Sequence, residues 1–218
     1  MSAIAPVISS EGQSFVAHCR RFAAEVIAPH AATYDRENRF PDAVHEAAYE
    51  RGGVIGIDLP TAYGGGGLAD VDAVAGAEAL ATVCAPTAFT LGFNRGALHP
   101  VLAAGTPEQK QRFIAELLSQ RRYASLCLTE PEISGSNLLG LQTTARRTAS
   151  GWVIDGTKCM VGQGGVASLY LVLARTEIDG VSRGPSFFAV PRTDAVEVGP
   201  NTDKLGFRCV ETPEVRFR

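Results

Sequence analysis

The stretch Tyr-Ala-Ser-Leu-Cys-Leu-Thr-Glu-Pro, residues 123–131, marks the point where this 218-residue sequence changes its pattern. Residues 123–129 predict a β-strand. Upstream of them, apolar residues recur at helical spacing, whereas downstream short apolar runs alternate with turns. Further strands are predicted at residues 142–148, 152–154, 168–174, 186–190, 196–198 and 214–217. Helices first and strands second predict an α+β chain with two segregated parts.

The first part is predicted to be all helical. Phe15, Cys19, Phe22 and Val26 fall on one face of a helix, and Pro29 should end or bend it because proline lacks an N–H and clashes with the preceding turn. Capping-box patterns at Ser10 with Gln13 and at Thr106 with Gln109 predict helix starts. Further helices are predicted near residues 41–52, 71–81 and 88–99, and the four glycines at residues 64–67 predict a loop.

Composition and charge exclude several functional classes. A formal net charge of −3 without a Lys/Arg stripe argues against nucleic acid. Because no apolar run approaches the roughly 20 residues that cross a bilayer, we expect no membrane span. The first six residues lack the basic start and apolar core of a signal peptide, so we expect a soluble cytoplasmic protein.

Common catalytic and metal motifs are not found in the sequence. The five cysteines are widely spread and form no CxxC pair, so we interpret them as small core residues and expect neither a zinc site nor a disulfide framework. The four histidines do not fall at metal-ligand spacing on one helix face. The glycines at 64–67 precede no Lys-Ser/Thr, so they are not a P-loop, and those at 162–165 open no helix. We therefore expect no metal.

A series of segments, in order along nearly the whole chain, resembles the acyl-CoA dehydrogenase family. The most specific is Leu128-Thr129-Glu130-Pro131 followed by Gly135-Ser136-Asn137, which is similar to that family's Leu-Thr-Glu-Pro…Gly-Ser-Asp signature. The other matching segments are residues 20–29, 51–57 with 63–65, 105–112, 152–158 and 204–208. The resemblance implies an N-terminal helical domain at residues 1–121 and a middle antiparallel β-barrel domain at residues 122–218.

The family resemblance also implies a flavin site, with FAD as the cofactor and an acyl-CoA or acyl-carrier thioester as the substrate. Thr129 would hydrogen-bond the pyrimidine end of the flavin ring, and backbone N–H groups there would favour its reduced, more anionic form. The residues implied to line FAD are Leu126, Cys127, Leu128, Thr129, Gly135, Ser136, Met160, Val161 and Gly162. Ser136 and Ser182 are implied to contact the substrate. Glu130 and Pro131 are interpreted as turn-shaping residues.

The sequence departs from the family pattern beside the flavin. The loop between Pro131 and Gly135 has one extra residue, which requires a bulge, and Asn137 replaces Asp. Met160 and Gly162 stand where Trp and Thr are usual. A sulfur–aromatic contact would then replace ring stacking, and a hydroxyl near the flavin would be absent.

The catalytic base is expected outside this chain. In the family a carboxylate from a third, helical domain removes the α-proton of the thioester, and that domain would follow residue 218. We therefore assign no catalytic residue and expect a homo- or hetero-oligomer that covers the apolar surface left by the missing domain. Three functions remain open: the flavin-binding part of a dehydrogenase, a non-catalytic acyl-CoA-binding or partner subunit, and a flavin monooxygenase relative.

Overall fold

The structure, a computed structural model, describes residues 7–218, so the expectation about a signal peptide lies outside the described residues. Contacts divide the chain into two compact units. One holds the described residues up to Arg95 together with Lys204–Val210, and the other holds Gly96–Asp203 together with Glu211–Arg218. The domain limits of 1–121 and 122–218 stay a prediction. Each unit is described by itself.

Helices occupy the chain up to Ser119, as the sequence predicts. The bounds are α1 Ser10–Phe22, continued by a π-helical turn Ala23–Ile27, then α2 Ala31–Glu37, α3 Asp42–Arg51, a 3₁₀ turn Thr61–Tyr63, α4 Asp70–Ala97, α5 His99–Ala104, α6 Pro107–Lys110, a π-helical turn Gln111–Ala115 and α7 Glu116–Ser119. The Thr106–Gln109 capping box is present, with both reciprocal hydrogen bonds. Helix α1 is instead capped by Ser9, whose hydroxyl accepts from the Gly12 N–H and donates to Asp72.

The core of the first unit is formed by the apolar face predicted for α1. Cys19, Phe22 and Val26 are buried there against α3, α4 and Cys209. Helix α4 is irregular at Cys84, which has φ −154° and ψ 98°, two residues before Pro86. The two helices predicted near residues 71–81 and 88–99 therefore form the two halves of α4, with a break at Cys84.

The helical stretch Asp70–Ala104 is long and apolar enough, by length and composition, to cross a membrane. This is weak evidence, because core helices of soluble proteins meet the same criterion. Leu80, Cys84 and Leu91 of this stretch belong to the buried core, as expected of a core helix.

The second unit contains one seven-stranded sheet. Its strands are β1 Ala124–Cys127, β2 Thr144–Thr148, β3 Gly151–Lys158, β4 Leu169–Ile178, β5 Val181–Pro191, β6 Val196–Val198 and β7 Val215–Phe217. The order is β1-β4-β2-β3-β7-β6, with β5 also paired to β4. The fold class is confirmed, but the sheet is mixed and not purely antiparallel, because β1 and β2 both run parallel to β4. Local sequence does not encode the direction of such pairings.

Strands β1 and β2 lie end to end along the same edge of β4. Cys127 pairs with Val172, and Thr144 pairs with Arg175 three residues further on. The opposite edge of β4 is covered by β5. Residues 128–143 therefore leave the sheet and return to the same edge. The loop that carries Thr129 and Gly135 begins at this gap.

Candidate functional site

The wall loop, which we define as residues 128–136, starts where β1 ends. Its first peptide groups are fixed by two bonds from the end of β3. The Thr129 carbonyl accepts from the Cys159 N–H at 2.9 Å, and the Leu128 carbonyl accepts from Lys158 Nζ at 2.9 Å. Thr129 itself is partly exposed. Within residues 7–218, no protein acceptor is found for its N–H, which leaves this donor for a ligand.

A buried ion pair closes the gap between β1 and β2. Lys158 is 0 % exposed and Glu130 3 % exposed, with Nζ 3.0 Å from Oε1. The Glu130 carboxylate also accepts from the Gln142 N–H at 2.7 Å and from the Thr143 N–H at 2.9 Å. Both carboxylate oxygens are thus engaged, so Glu130 joins the start of the wall loop to the start of β2.

Electrostatics favour a charged carboxylate at Glu130. Burial pushes the pKa of Glu130 upward, but the hydrogen bonds from Thr143, Gln142 and Lys158 outweigh this effect and lower the pKa below its ordinary value. Burial lowers the pKa of Lys158, and the nearby Glu130 opposes that change. The turn-shaping interpretation of Glu130 agrees with these contacts.

Gly135 folds back against the beginning of the wall loop. A Cβ on Gly135 would lie 2.8 Å from Leu128 Cβ, 3.1 Å from Thr129 Oγ1 and 3.2 Å from Thr129 N. Only glycine permits this approach. The preceding residues form a tight turn, in which the backbones of Glu130 and Ile133 exchange hydrogen bonds of 2.9 and 3.2 Å. Pro131 and Glu132, which lie within this turn, are exposed, and the bulge expected from the extra residue stays a prediction.

The segment 160–163 lies beside the wall loop and is tied to β1 and to the segment before β7. Ser125 Oγ donates to the Gly162 carbonyl at 2.6 Å. The Val161 N–H donates to the Pro213 carbonyl at 3.2 Å, and the Gln163 N–H donates to the Glu211 carbonyl at 2.8 Å. Val161 is buried, whereas Met160 is 59 % exposed and has a φ of 55°.

The remaining predicted residues are spread around the sheet. Leu126 and Cys127 point to opposite faces of β1, since Cys127 belongs to a buried core cluster while Leu126 lines an apolar groove with Leu171, Phe187 and Ala189. Burial raises the pKa of Cys127 to about 12, so its thiol stays protonated. Ser136 is exposed and its hydroxyl lies 3.0 Å from that of Ser134.

Ser182 is separated from the other candidates by strand β4. It is exposed on β5, paired with Glu177 on the edge of β4 opposite to the wall loop. The structure thus brings Leu128, Thr129 and Gly135 together, and the segment 160–162 follows Cys159, whose N–H donates to the Thr129 carbonyl. The assignment of all these residues to FAD and substrate stays a prediction.

Two contributors were missed by the sequence analysis. Ser125 is wholly buried and connects β1 to Gly162. Lys158 was noted only as part of a motif. A signal for it existed, because Lys158 follows Ile154 and Gly156 at a period of two and so falls on the inward face of β3. A buried lysine needs a partner of opposite charge.

The described residues, 7–218, contain no group of three or more His, Cys, Asp or Glu side chains that could hold a metal ion. The polar atoms of the wall loop are mainly backbone N–H and carbonyl groups, with the hydroxyls of Thr129, Ser134 and Ser136. Such donors suit an electron-rich, neutral or anionic ring edge.

Comparison with known proteins identifies the family. The model for the acyl-CoA dehydrogenase N-terminal domain matches residues 9–121, and the model for the middle domain matches residues 125–218. Isobutyryl-CoA dehydrogenase of Bos taurus is 34% identical over 212 residues, which are 96% of this chain and 50% of that protein. Short-chain specific acyl-CoA dehydrogenase of Mus musculus is 33% identical over 201 residues, 91% of this chain and 48% of that protein.

Solved structures show the same fold. Butyryl-CoA dehydrogenase of Megasphaera elsdenii superimposes with a TM-score of 0.86 at 25% identity, covering 99% of this chain and 57% of that one. An acyl-CoA dehydrogenase from Bacillus anthracis complexed with FAD gives a TM-score of 0.82 at 29% identity, covering 97% of this chain and 36% of that one. The chain spans about half the length of the curated relatives it matches. By both domain matches, this chain belongs to the acyl-CoA dehydrogenase family.

Proposed function

We propose that this chain provides the flavin-binding part of an FAD-dependent acyl-CoA dehydrogenase, an oxidoreductase that forms an α,β double bond in an acyl thioester. The observation that carries the proposal is the Thr129 N–H, which has no protein acceptor within residues 7–218, beside a Gly135 packed against the same residue. A relative solved with FAD supports the choice of cofactor.

The residues present fit a flavin. The Thr129 N–H and hydroxyl supply donors, and the close approach of Gly135 leaves the face of the wall loop without a side chain there. Met160, exposed and beside this loop, offers a polarizable sulfur for an aromatic ring. A bound flavin would supply hydride acceptance from the β-carbon of the thioester. The chain's own residues would bind and orient the ring and donate hydrogen bonds to its pyrimidine edge.

Proton abstraction is not assigned to this chain. The carboxylate of Glu130 follows Thr129 in the chain, and both of its oxygens are engaged by Lys158, Gln142 and Thr143. A positioned base commonly contributes about 10²–10⁴-fold to such a proton transfer. We therefore propose that the base comes from residues outside the 218 described by this sequence, in the same or another polypeptide. Oligomerisation and a cytoplasmic location stay predictions.

Titration of the purified chain with FAD tests the proposal. We expect saturable binding, seen as a protein-bound yellow chromophore that remains after gel filtration. The titration is repeated with an added C-terminal helical half from a relative. Absence of bound FAD in both samples contradicts the proposed function.

A second candidate function is a non-catalytic acyl-CoA-binding or partner subunit. The observation that favours it is the altered segment 160–162, where Met160 is exposed and Gly162 has no hydroxyl. This function predicts acyl-CoA binding, or co-purification with a full-length relative, without FAD. Acyl-CoA-dependent dye reduction by the FAD-loaded chain, with the added half, would exclude it.

A further inference from the structure

Lys158 makes a contact that its ion pair with Glu130 does not require. Its Nζ lies 3.0 Å from Glu130 Oε1 and also donates to the Leu128 carbonyl at 2.9 Å. Glu130 already accepts two backbone N–H groups. These backbone donors already compensate the negative charge of the carboxylate. The bond from Lys158 to the Leu128 carbonyl is therefore not explained by the ion pair alone.

The Leu128 carbonyl and the Thr129 N–H are the two ends of one peptide group. A cation bonded to the carbonyl oxygen draws electron density toward that oxygen and makes the N–H at the other end a stronger donor. The effect is large only where water cannot screen the charge, and Lys158 is 0 % exposed. The N–H of this peptide is the one left without a protein acceptor within residues 7–218.

The orientation of the peptide is fixed on both sides. The next carbonyl, that of Thr129, accepts from the Cys159 N–H at 2.9 Å. Gly135 packs against Leu128 Cβ and Thr129 N from the other side. The donor is thus held in place by neutral contacts, and Lys158 adds charge to a peptide that is already positioned.

A merely structural role would not need a cation at this position. An ammonium group is costly to bury, and replacing a buried ion pair by apolar side chains of similar volume is often neutral or stabilising. The charge is kept on the carbonyl side of a peptide group whose N–H has no protein acceptor in the described part of the chain. This favours an electrostatic role, in which the charge changes how strongly that N–H binds its ligand.

We propose that Lys158 is a positioning residue that polarises the Leu128–Thr129 peptide, so that the Thr129 N–H binds the electron-rich edge of a reduced flavin more tightly than that of the oxidised ring. The inference rests on the proposed function for its ligand. Polarisation of the peptide itself is a property of the chain alone. Glu130 holds the ammonium group against the Leu128 carbonyl.

The experiment compares the full chain with Lys158→Met and with the double variant Glu130→Gln/Lys158→Met, in which no unpaired charge remains. A matched charge-removal control is Glu197→Gln/Arg218→Met, an exposed pair with a 2.9 Å contact in the same unit. The first readout is the amide proton shift of Thr129 in the chain without cofactor. We expect it to move upfield in both Lys158 variants. The Val161 amide shift, which reports the bond to the Pro213 carbonyl in the neighbouring segment, should stay unchanged.

The second readout is the reduction potential of bound FAD. We expect reduced FAD to bind three- to tenfold less tightly relative to oxidised FAD in both Lys158 variants, and a tenfold change corresponds to about 30 mV for a two-electron couple. The control variant should keep the wild-type values. An unchanged Thr129 shift, or an unchanged potential in a folded double variant, overturns the proposal. Unfolding of both Lys158 variants also overturns it, because the pair would then be needed for the fold.

The two proposals fail in different ways. If the wild-type chain takes up no FAD, alone or with the added C-terminal half, the proposed function fails, while the Thr129 amide shift still decides whether Lys158 polarises the peptide. If FAD binds equally well and with the same potential in all variants, the proposed function stands and the role of Lys158 is refuted.

Discussion

Substitution of Gly135 by Ala tests the geometry of the wall loop. The added methyl carbon would lie 2.8 Å from Leu128 Cβ, whereas two carbon atoms are at their optimal separation at about 3.5–4.0 Å. It would also lie 3.1 Å from Thr129 Oγ1 and 3.2 Å from Thr129 N. The loop must therefore open by about 0.7–1.2 Å at this point.

Such a displacement is enough to weaken a hydrogen bond from Thr129 to a ligand. Donor–acceptor distances of N–H···O bonds lie within about 2.7–3.2 Å, so a shift near 1 Å moves the donor out of this range. The loss costs about 1–3 kcal/mol, which corresponds to roughly a 5- to 150-fold increase in the Kd for FAD.

FAD titration of Gly135→Ala beside the wild-type chain measures this effect. The matched control is Gly206→Ala, since a Cβ at Gly206 meets no atom within 4 Å. We expect the control to bind FAD as the wild type does, and both variants to keep the wild-type circular dichroism. A Gly135→Ala chain that folds normally and binds FAD within about twofold of wild type would refute the geometry on which the site is built.

Three further predictions concern stability. Burial lowers the pKa of His45 from 6.5 to about 3. Below pH 6.5 this histidine is therefore protonated in the unfolded chain but neutral in the folded chain, and the free energy of unfolding falls as the pH drops. Urea denaturation should show a loss of about 1.7 kcal/mol between pH 6.5 and pH 5 that His45→Gln lacks, and equal losses in both chains would contradict it. Met160 has a φ of 55°, so Met160→Gly should raise the free energy of unfolding by up to about 1 kcal/mol, and a destabilised variant would contradict the assigned strain. In a double-mutant cycle, Glu130→Gln alone should cost about 3–5 kcal/mol while Glu130→Gln/Lys158→Met costs less, and a double variant less stable than either single one would contradict this.

The helices and strands were largely predictable because their signals are local. The capping box at Thr106 and the apolar run of β4 are examples. The parallel pairing of β1 and β2 with β4 was not predictable, since pairing direction depends on residues far apart in sequence. The start of α1 was misplaced by one residue because Ser9 and Ser10 are equally good caps, and contact with Asp72 selects Ser9.

The candidate site was predictable in part. The resemblance named Thr129 and Gly135, and the structure shows them packed together. Lys158 and Ser125 were missed because each acts through a backbone carbonyl on another segment. Every residue has a backbone carbonyl, so the identity of the accepting residue gives no sign that a side chain bonds to it. What the sequence does indicate is burial, because a polar residue at an inward-facing position of a strand must find a partner there.

The end-to-end placement of β1 and β2 on one edge of β4 has a consequence for how such a protein can diversify. Residues 128–143 connect two strands that pair with β4, and the other edge of β4 is covered by β5. We therefore expect insertions or deletions at the exposed turn of Pro131 and Glu132 to leave the sheet register unchanged. Natural variation can alter the surroundings of a bound ligand there at little cost in folding, so selectivity can change independently of the scaffold.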